Sequence, residues 1–200
     1  MLRVTDVLRL SGLRPDMKWM SPEDRDWYYR RGSMIHKAVA LMDVGRLDWK
    51  SLHPRIVPYV QAAQKFRLEC GGELVAQELE VTDLNMGTMG HLDAVYKSMS
   101  LRSHGRQLCL VDWKTNSVDQ ATQVQTAAYA LMTTNALPHG APVRFRCGVA
   151  LHDDSSYAVT WYTDRAGDIQ AWVGAVMLAK WRLRNGEKAN DETAKKEELT

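Results

Sequence analysis

The sequence predicts a single α/β domain with a helical N-terminal region, and three observations predict it. Between Thr5 and about Gly72 the pattern is mostly helical. At Gly71-Gly72 the texture changes to short segments of alternating or wholly apolar character, and from there to about residue 186 strand and helix patterns interleave. A chain of 200 residues, 45% hydrophobic and 25% charged, is large enough to hold one core without disulfide or metal staples. The organisation expected is a helical region at 1–72, an α/β core at 73–186 and a charged tail at 187–200.

Each element has a local cause. A short helix opens at Thr5 or Asp6. A long one follows Ser21-Pro22-Glu23: the serine caps free amides, the proline suits a first turn because it has no N–H to leave unpaired, and acidic residues favour the positive end of the helix dipole. Gly32 either interrupts this helix or divides it in two, and the pattern allows both. A third helix lies between Pro54 and Gly71. Strands are expected at Leu74–Val81, Thr88–Lys97 and Gln107–Lys114. A Gln- and Ala-rich helix from about Val118 to Thr134 follows, then strands Val143–Leu151 and Tyr157–Tyr162 around the turn Asp153-Asp154-Ser155-Ser156. The last helix, about Ala166 to Arg184, sets Trp172, Val176, Ala179 and Leu183 at helical spacing. Beyond Asn185-Gly186 the charged segment reads as a frayed tail.

Composition excludes several classes. No apolar run approaches the roughly 18 residues of a membrane span, and the N-terminus Met1-Leu2-Arg3-Val4-Thr5-Asp6 is polar where a secretory signal would be apolar, so a soluble, cytoplasmic protein is expected. Cys70, Cys109 and Cys147 are isolated and odd in number. They fit buried thiols rather than a disulfide framework or a four-cysteine zinc or iron–sulfur site. A net charge of +2 decides nothing about nucleic acid, and there is no phosphate-cradling G-x-x-x-x-G-K-[ST] loop.

The chemistry concentrates in Leu108-Cys109-Leu110-Val111-Asp112-Trp113-Lys114-Thr115, an apolar strand that ends in an acid and a base two positions apart. Strand side chains alternate, so Asp112 and Lys114 project together and Trp113 projects oppositely. Charges at the end of so apolar a strand require a partner or a metal, since burial without one is costly. Gly90-His91-Leu92-Asp93-Ala94-Val95 repeats the theme with Asp93 among apolar residues. If the two strands pair through a turn at Ser98–Arg106, Asp93 and Asp112 lie side by side, an arrangement stable chiefly around a cation.

Five pieces in order, Gly32-Ser33-Met34-Ile35-His36, Gln77-Glu78-Leu79-Glu80, Gly90-His91-Leu92-Asp93, Asp112-Trp113-Lys114-Thr115 and Gln125-Thr126-Ala127-Ala128-Tyr129, resemble the RecB-like branch of the PD-(D/E)XK nuclease superfamily over residues 32 to 129. The resemblance implies a restriction-endonuclease-like core, with a central mixed β-sheet flanked by helices. It implies Asp93, Asp112, Lys114 and Glu78 as catalytic residues, Glu78 being preferred over Glu80. It also implies His36, Asp93, Asp112 and the backbone carbonyl of Trp113 as ligands of Mg²⁺ or Mn²⁺, a donor set rich in hard oxygens with one imidazole. Gln125 and Tyr129, four apart on one helix face, are implied to contact the DNA backbone together with Thr115 and Arg31. Arg25, Arg30 and Lys37, with the rings of Trp27, Tyr28 and Tyr29, lie nearby. The cysteines that hold an iron–sulfur cluster in some relatives are missing, so no cluster is expected.

The expected activity is metal-dependent DNA exonuclease action at single- or double-stranded ends in phage or bacterial recombination or repair, a setting that admits a recombination partner protein. An endonuclease or CRISPR-adaptation-like end-processing nuclease would use the same residues, and a catalytically weak DNA-binding subunit would keep the fold. Polarity, strand preference, one or two metal ions and oligomeric state are not encoded legibly.

Overall fold

The computed structural model describes residues 1–15, 17–97, 107–137 and 141–187. The tail beyond 187 and the turn expected at Ser98–Arg106 lie outside the described residues. Strand β1 (Leu2–Arg3) leads into α1 (Val4–Leu10), α2 (Pro22–Asp43) and α3 (Val57–Cys70). Strands β2 (Glu73–Asp83), β3 (Thr88–Lys97) and β4 (Leu108–Thr115) precede α4 (Gln120–Met132), and β5 (Val143–Leu151), β6 (Tyr157–Trp161) and α5 (Arg165–Arg184) complete the order.

The local causes operate as read. Ser21 Oγ accepts the Asp24 N–H at 3.1 Å with Pro22 in the first turn, and α2 runs unbroken through Gly32, where an added side chain would meet open space. Asp119 and Asp164 cap α4 and α5, which is why those helices begin within two residues of the expected starts. The two-residue β1 is too short to signal itself in sequence. The three cysteines are buried and form no disulfide. Among the described residues no helix is long and apolar enough to cross a membrane.

Six strands form one mixed sheet in the order β1-β3-β4-β5-β6, with β2 paired to β3. β1–β3 and β4–β5 are parallel; β2–β3, β3–β4 and β5–β6 are antiparallel. β2 occupies one edge of β3 along its whole length. The other edge is shared: β1 pairs with Thr88 and Met89, β4 with Ala94–Lys97, and the stretch 90–93 between them has no ladder partner on that side. The catalytic-looking acids sit at this gap.

Each face of the sheet carries its own core. Val7, Leu8, Leu92, Val95, Leu110, Tyr129 and Trp172 join α1, α4 and α5 on one face. Ile35, Val39, Phe66, Ala94, Tyr96, Val111 and Trp113 join α2 and α3 on the other. Buried ion pairs fasten helices to strands in both layers. Arg146 of β5 reaches Asp168 of α5 at 2.5 Å, and Arg67 of α3 reaches Asp43 at the end of α2 at 2.9 Å while stacking on Tyr96 of β3.

Candidate active site

The strand registers align three carboxylates in one row. Gln77 and Leu79 of β2 oppose Ala94 and Leu92 of β3, which puts Glu78 opposite Asp93; Ala94 opposes Val111 of β4, which puts Asp93 opposite Asp112. Neither acid pair belongs to a regular ladder. Glu78 has a positive φ of 44°, a conformation that costs a non-glycine residue of order 1–3 kcal/mol and concentrates at functional sites. The alternation of β3 also breaks here: Leu92 packs in one core and Ala94, two residues on, in the other. Asp93 thus stands where β3 turns over, and its Oδ2 accepts the Trp113 N–H at 2.7 Å in place of a backbone acceptor. In a strand the N–H and C=O of one residue face the same neighbour, so the Trp113 carbonyl faces this side too. Its indole lies in the opposite layer, edge-on to Phe66 with ring centroids 5.3 Å apart. Glu80, two residues from Glu78, pairs with His91 on the exposed flank of the hairpin.

His36 is delivered from α2, where Ile35 and Val39 anchor the helix in the core beneath it. Its Nδ1 lies 3.0 Å from Asp93 Oδ1. From the same strand as Asp112, Lys114 donates a short hydrogen bond to Asp112 Oδ2. Asp112 is 1% exposed, whereas His36 keeps 27% of its side chain open, so the cluster is buried at its base and reached from the His36 side.

Environment separates the two aspartates. Burial acts to raise the pKa of Asp93, but His36, Lys114 and the Trp113 N–H together outweigh it and hold Asp93 below the ordinary carboxylate value. Burial raises Asp112, the neighbouring Asp93 charge adds to it, and Lys114 only partly opposes. His36 is raised above the usual imidazole value: burial opposes its charge, and Asp93 overrides burial by charge and hydrogen bond.

One ligand atom each from His36, Glu78 and Asp93 lie within 4.8 Å of one another, the spacing of a cation-holding cluster. Asp112 Oδ1 is buried with no hydrogen-bond partner, which is costly for a carboxylate unless something positive meets it. Carboxylates with one imidazole fit Mg²⁺ or Mn²⁺. The residues present therefore fit the metal that the motifs imply.

On the α4 side, Tyr129 packs against Gly90 of β3, and Gln125 bonds to it. An added methyl at Gly90 would lie 2.6 Å from the Tyr129 ring, so glycine is what lets the ring close over the gap. Gln125 Nε2 donates to Tyr129 Oη at 3.1 Å, and its Oε1 accepts from Arg14 at 2.9 Å. The Gln125 amide is thus satisfied internally, and the group it presents outward is the Arg14 guanidinium. Sequence reading missed Arg14, which sits in a short connection outside every motif. Thr115 ends β4, partly exposed beside Lys114. Arg31 is not in the acid cluster. It lies one turn and a half earlier on α2, over the rings of Tyr28 and Tyr59, with Nη1 3.4 Å from Tyr59 Oη. There it lines a cleft of about 300 Å³ with Trp27, Arg55 and Tyr59. Arg55 stacks 4.2 Å from the Trp27 ring centroid.

No family model and no curated protein matches this sequence. Among solved structures it is similar to a Eubacterium rectale protein provisionally assigned as an exonuclease, at 16% identity and a TM-score of 0.50 over 94% of this chain and 82% of that one. It is also similar to the alkaline exonuclease LHK-Exo of Laribacter hongkongensis, at 10% identity and a TM-score of 0.42 over 92% of each chain. For LHK-Exo in complex with dAMP the values are 13% and 0.39 over 100% of this chain and 94% of that one. The likeness to the Eubacterium rectale structure shows the fold, a mixed six-stranded sheet flanked by helices.

Proposed function

We propose that this chain is a RecB-like member of the PD-(D/E)XK superfamily that hydrolyses DNA phosphodiester bonds at ends, with Mg²⁺ or Mn²⁺ as cofactor, in phage or bacterial recombination or repair. One observation carries the reading: His36, Glu78 and Asp93, from three different elements, each offer a ligand atom within 4.8 Å of the others where β3 leaves its ladder with β4, and the Asp112–Lys114 pair lies on that next strand. A purely structural ion-pair network would not need a left-handed glutamate.

In this reading His36, Glu78, Asp93 and Asp112, with the Trp113 carbonyl, hold the cation. When bound it supplies Lewis-acid polarisation of the scissile phosphate and makes water a competent nucleophile near neutral pH. The protein does the rest. Lys114, fixed by Asp112, orients the attacking water and offsets charge that develops on the phosphate oxygens. His36 and the Trp113 N–H keep Asp93 ionised and aimed. Water adds to phosphorus as the bond to the leaving sugar oxygen breaks; a water proton passes to solvent and the departing oxygen takes a proton from solvent. Gln125 and Tyr129 act by holding Arg14 toward a flanking phosphate, beside Thr115. The cleft lined by Trp27, Arg31, Arg55, Pro58, Tyr59 and Asp153 offers two guanidiniums to the phosphates of a passing strand.

Incubation of the full chain with linear and circular DNA in Mg²⁺, Mn²⁺ or EDTA tests the reading. Metal-dependent loss of linear DNA alone is expected. Nicking of circles would replace exonuclease with endonuclease action, and binding without cleavage in any cation would identify a DNA-binding subunit.

A further inference from the structure

Tyr162 stands just beyond β6, in no recognised motif, yet its hydroxyl reaches the catalytic strand. The neighbour of Asp112 across the parallel β4–β5 ladder is Gly148. A methyl group at Gly148 would lie 2.7 Å from Tyr162 Oη, so that oxygen occupies the side-chain space which glycine leaves open. Val111 and Trp113 pack with Cys147 and Val149 in the α2/α3 layer. Asp112 and position 148 therefore both face the α4 side, where adjacent parallel strands set side chains roughly 5 Å apart. The phenol thus crosses β5 and brings its oxygen beside the Asp112 carboxylate.

Both oxygens are orphans. Tyr162 Oη and Asp112 Oδ1 are each buried and without a hydrogen-bond partner. The other carboxylate near the phenol, Asp119, is already engaged, its Oδ1 accepting both the N–H and the hydroxyl of Thr122 at 2.8 Å. Asp112 Oδ2 is engaged with Lys114. The Tyr162 hydroxyl and Asp112 Oδ1 are thus an unsatisfied donor and an unsatisfied acceptor flanking the same glycine. Tyr162 itself is fixed: its N–H donates to the Arg146 carbonyl at 3.0 Å and its ring lies 6.0 Å from the Arg146 guanidinium. Burial, with the Asp112 charge next, raises the phenol pKa and keeps the hydroxyl a donor.

We propose that Tyr162 is a positioning residue for Asp112: its hydroxyl, admitted by Gly148, reaches Asp112 Oδ1 through one water and holds the carboxylate in its metal-binding orientation. This rests on Asp112 being a cation ligand, as proposed above. Outer partners of metal ligands are typically worth a factor of about 10–100 in metal affinity.

The test is Mn²⁺ affinity, read from the electron paramagnetic resonance of free Mn²⁺, in the full chain and in Tyr162→Phe, Gly148→Ala and Asp112→Asn, with melting in EDTA measured alongside. Tyr162→Phe removes one oxygen; Gly148→Ala leaves the tyrosine intact and crowds it together with Val118 and Thr122. The expected result is that each weakens Mn²⁺ binding about 10-fold or more, with the half-saturating Mn²⁺ for cleavage rising in parallel and Tyr162→Phe melting in EDTA close to the parent. Unchanged Mn²⁺ affinity in Tyr162→Phe and Gly148→Ala, with Asp112→Asn impaired, overturns the role of Tyr162 and leaves the metal site standing. Unchanged affinity in Asp112→Asn, or no Mn²⁺ binding by the parent chain, overturns both.

Discussion

Replacing Arg146 by Met removes a guanidinium from the layer between β5, α4 and α5. Arg146 Nη2 donates to Asp168 Oδ2 at 2.5 Å, and Nη1 to the Gln123 carbonyl at 3.1 Å. Only 5% and 7% of the two charged side chains are exposed. Methionine keeps most of the volume and leaves the Asp168 carboxylate with the Gln123 amide, 2.6 Å away, and no counter-charge. Breaking a pair buried to this degree costs about 3–5 kcal/mol, which at roughly 2–4 °C per kcal/mol for a domain of this size lowers Tm by roughly 6–20 °C. The double variant Arg146→Met/Asp168→Leu regains most of that loss, because desolvation offsets much of the attraction within the intact pair. Thermal and urea denaturation of parent, both single variants and the double variant measure the cycle. A single-variant loss under about 1 kcal/mol, or a double variant as unstable as the two losses summed, would refute the reasoning.

Further outcomes follow from the same structure. Gly90→Ala sets a methyl against the Tyr129 ring and should cost about 1–3 kcal/mol by overpacking, with weaker DNA binding as the Gln125–Arg14 arm shifts; calorimetry and a filter-binding assay check the two effects. Asp119 caps α4, and although burial acts to raise its pKa, the Thr122 bonds prevail and hold it below 3.8. A depressed folded pKa gives stability that is present above the unfolded value and lost as pH falls through the folded one. Asp119→Ala should therefore lose about 1–2 kcal/mol at pH 7, with the gap to the parent closing below about pH 4; urea titrations at stepped pH would show it. Arg67→Leu strips Asp43, its side chain 3% exposed, of its charged partner, and should loosen α2 enough to lower both Tm and Mn²⁺ affinity through His36.

Much of the site was legible because its chemistry conflicts with its surroundings. Asp112 and Asp93 announce themselves as acids on apolar strands, and period-two alternation pairs Asp112 with Lys114. Strand boundaries at Thr88–Lys97 and Val143–Leu151 were readable because β-rich runs end abruptly in turn residues. What stayed hidden depends on tertiary geometry. The preference for Glu78 over Glu80 came from the resemblance alone; the positive φ of Glu78 and the pairing of Glu80 with His91 are marked by no local propensity. Arg14 and Tyr162 are ordinary residues made relevant by contacts 111 residues away in one case and across a glycine in the other. Arg31 shows the converse: near His36 in sequence, it serves a neighbouring cleft.

The central claim is most directly tested by measuring Mn²⁺ binding and cleavage of linear DNA on the same preparations of the parent, Asp112→Asn and Lys114→Met. Loss of both properties in Asp112→Asn, and loss of cleavage with Mn²⁺ binding retained in Lys114→Met, is the predicted result. Parent-level cleavage by Asp112→Asn would contradict the assignment of this cluster as the active site.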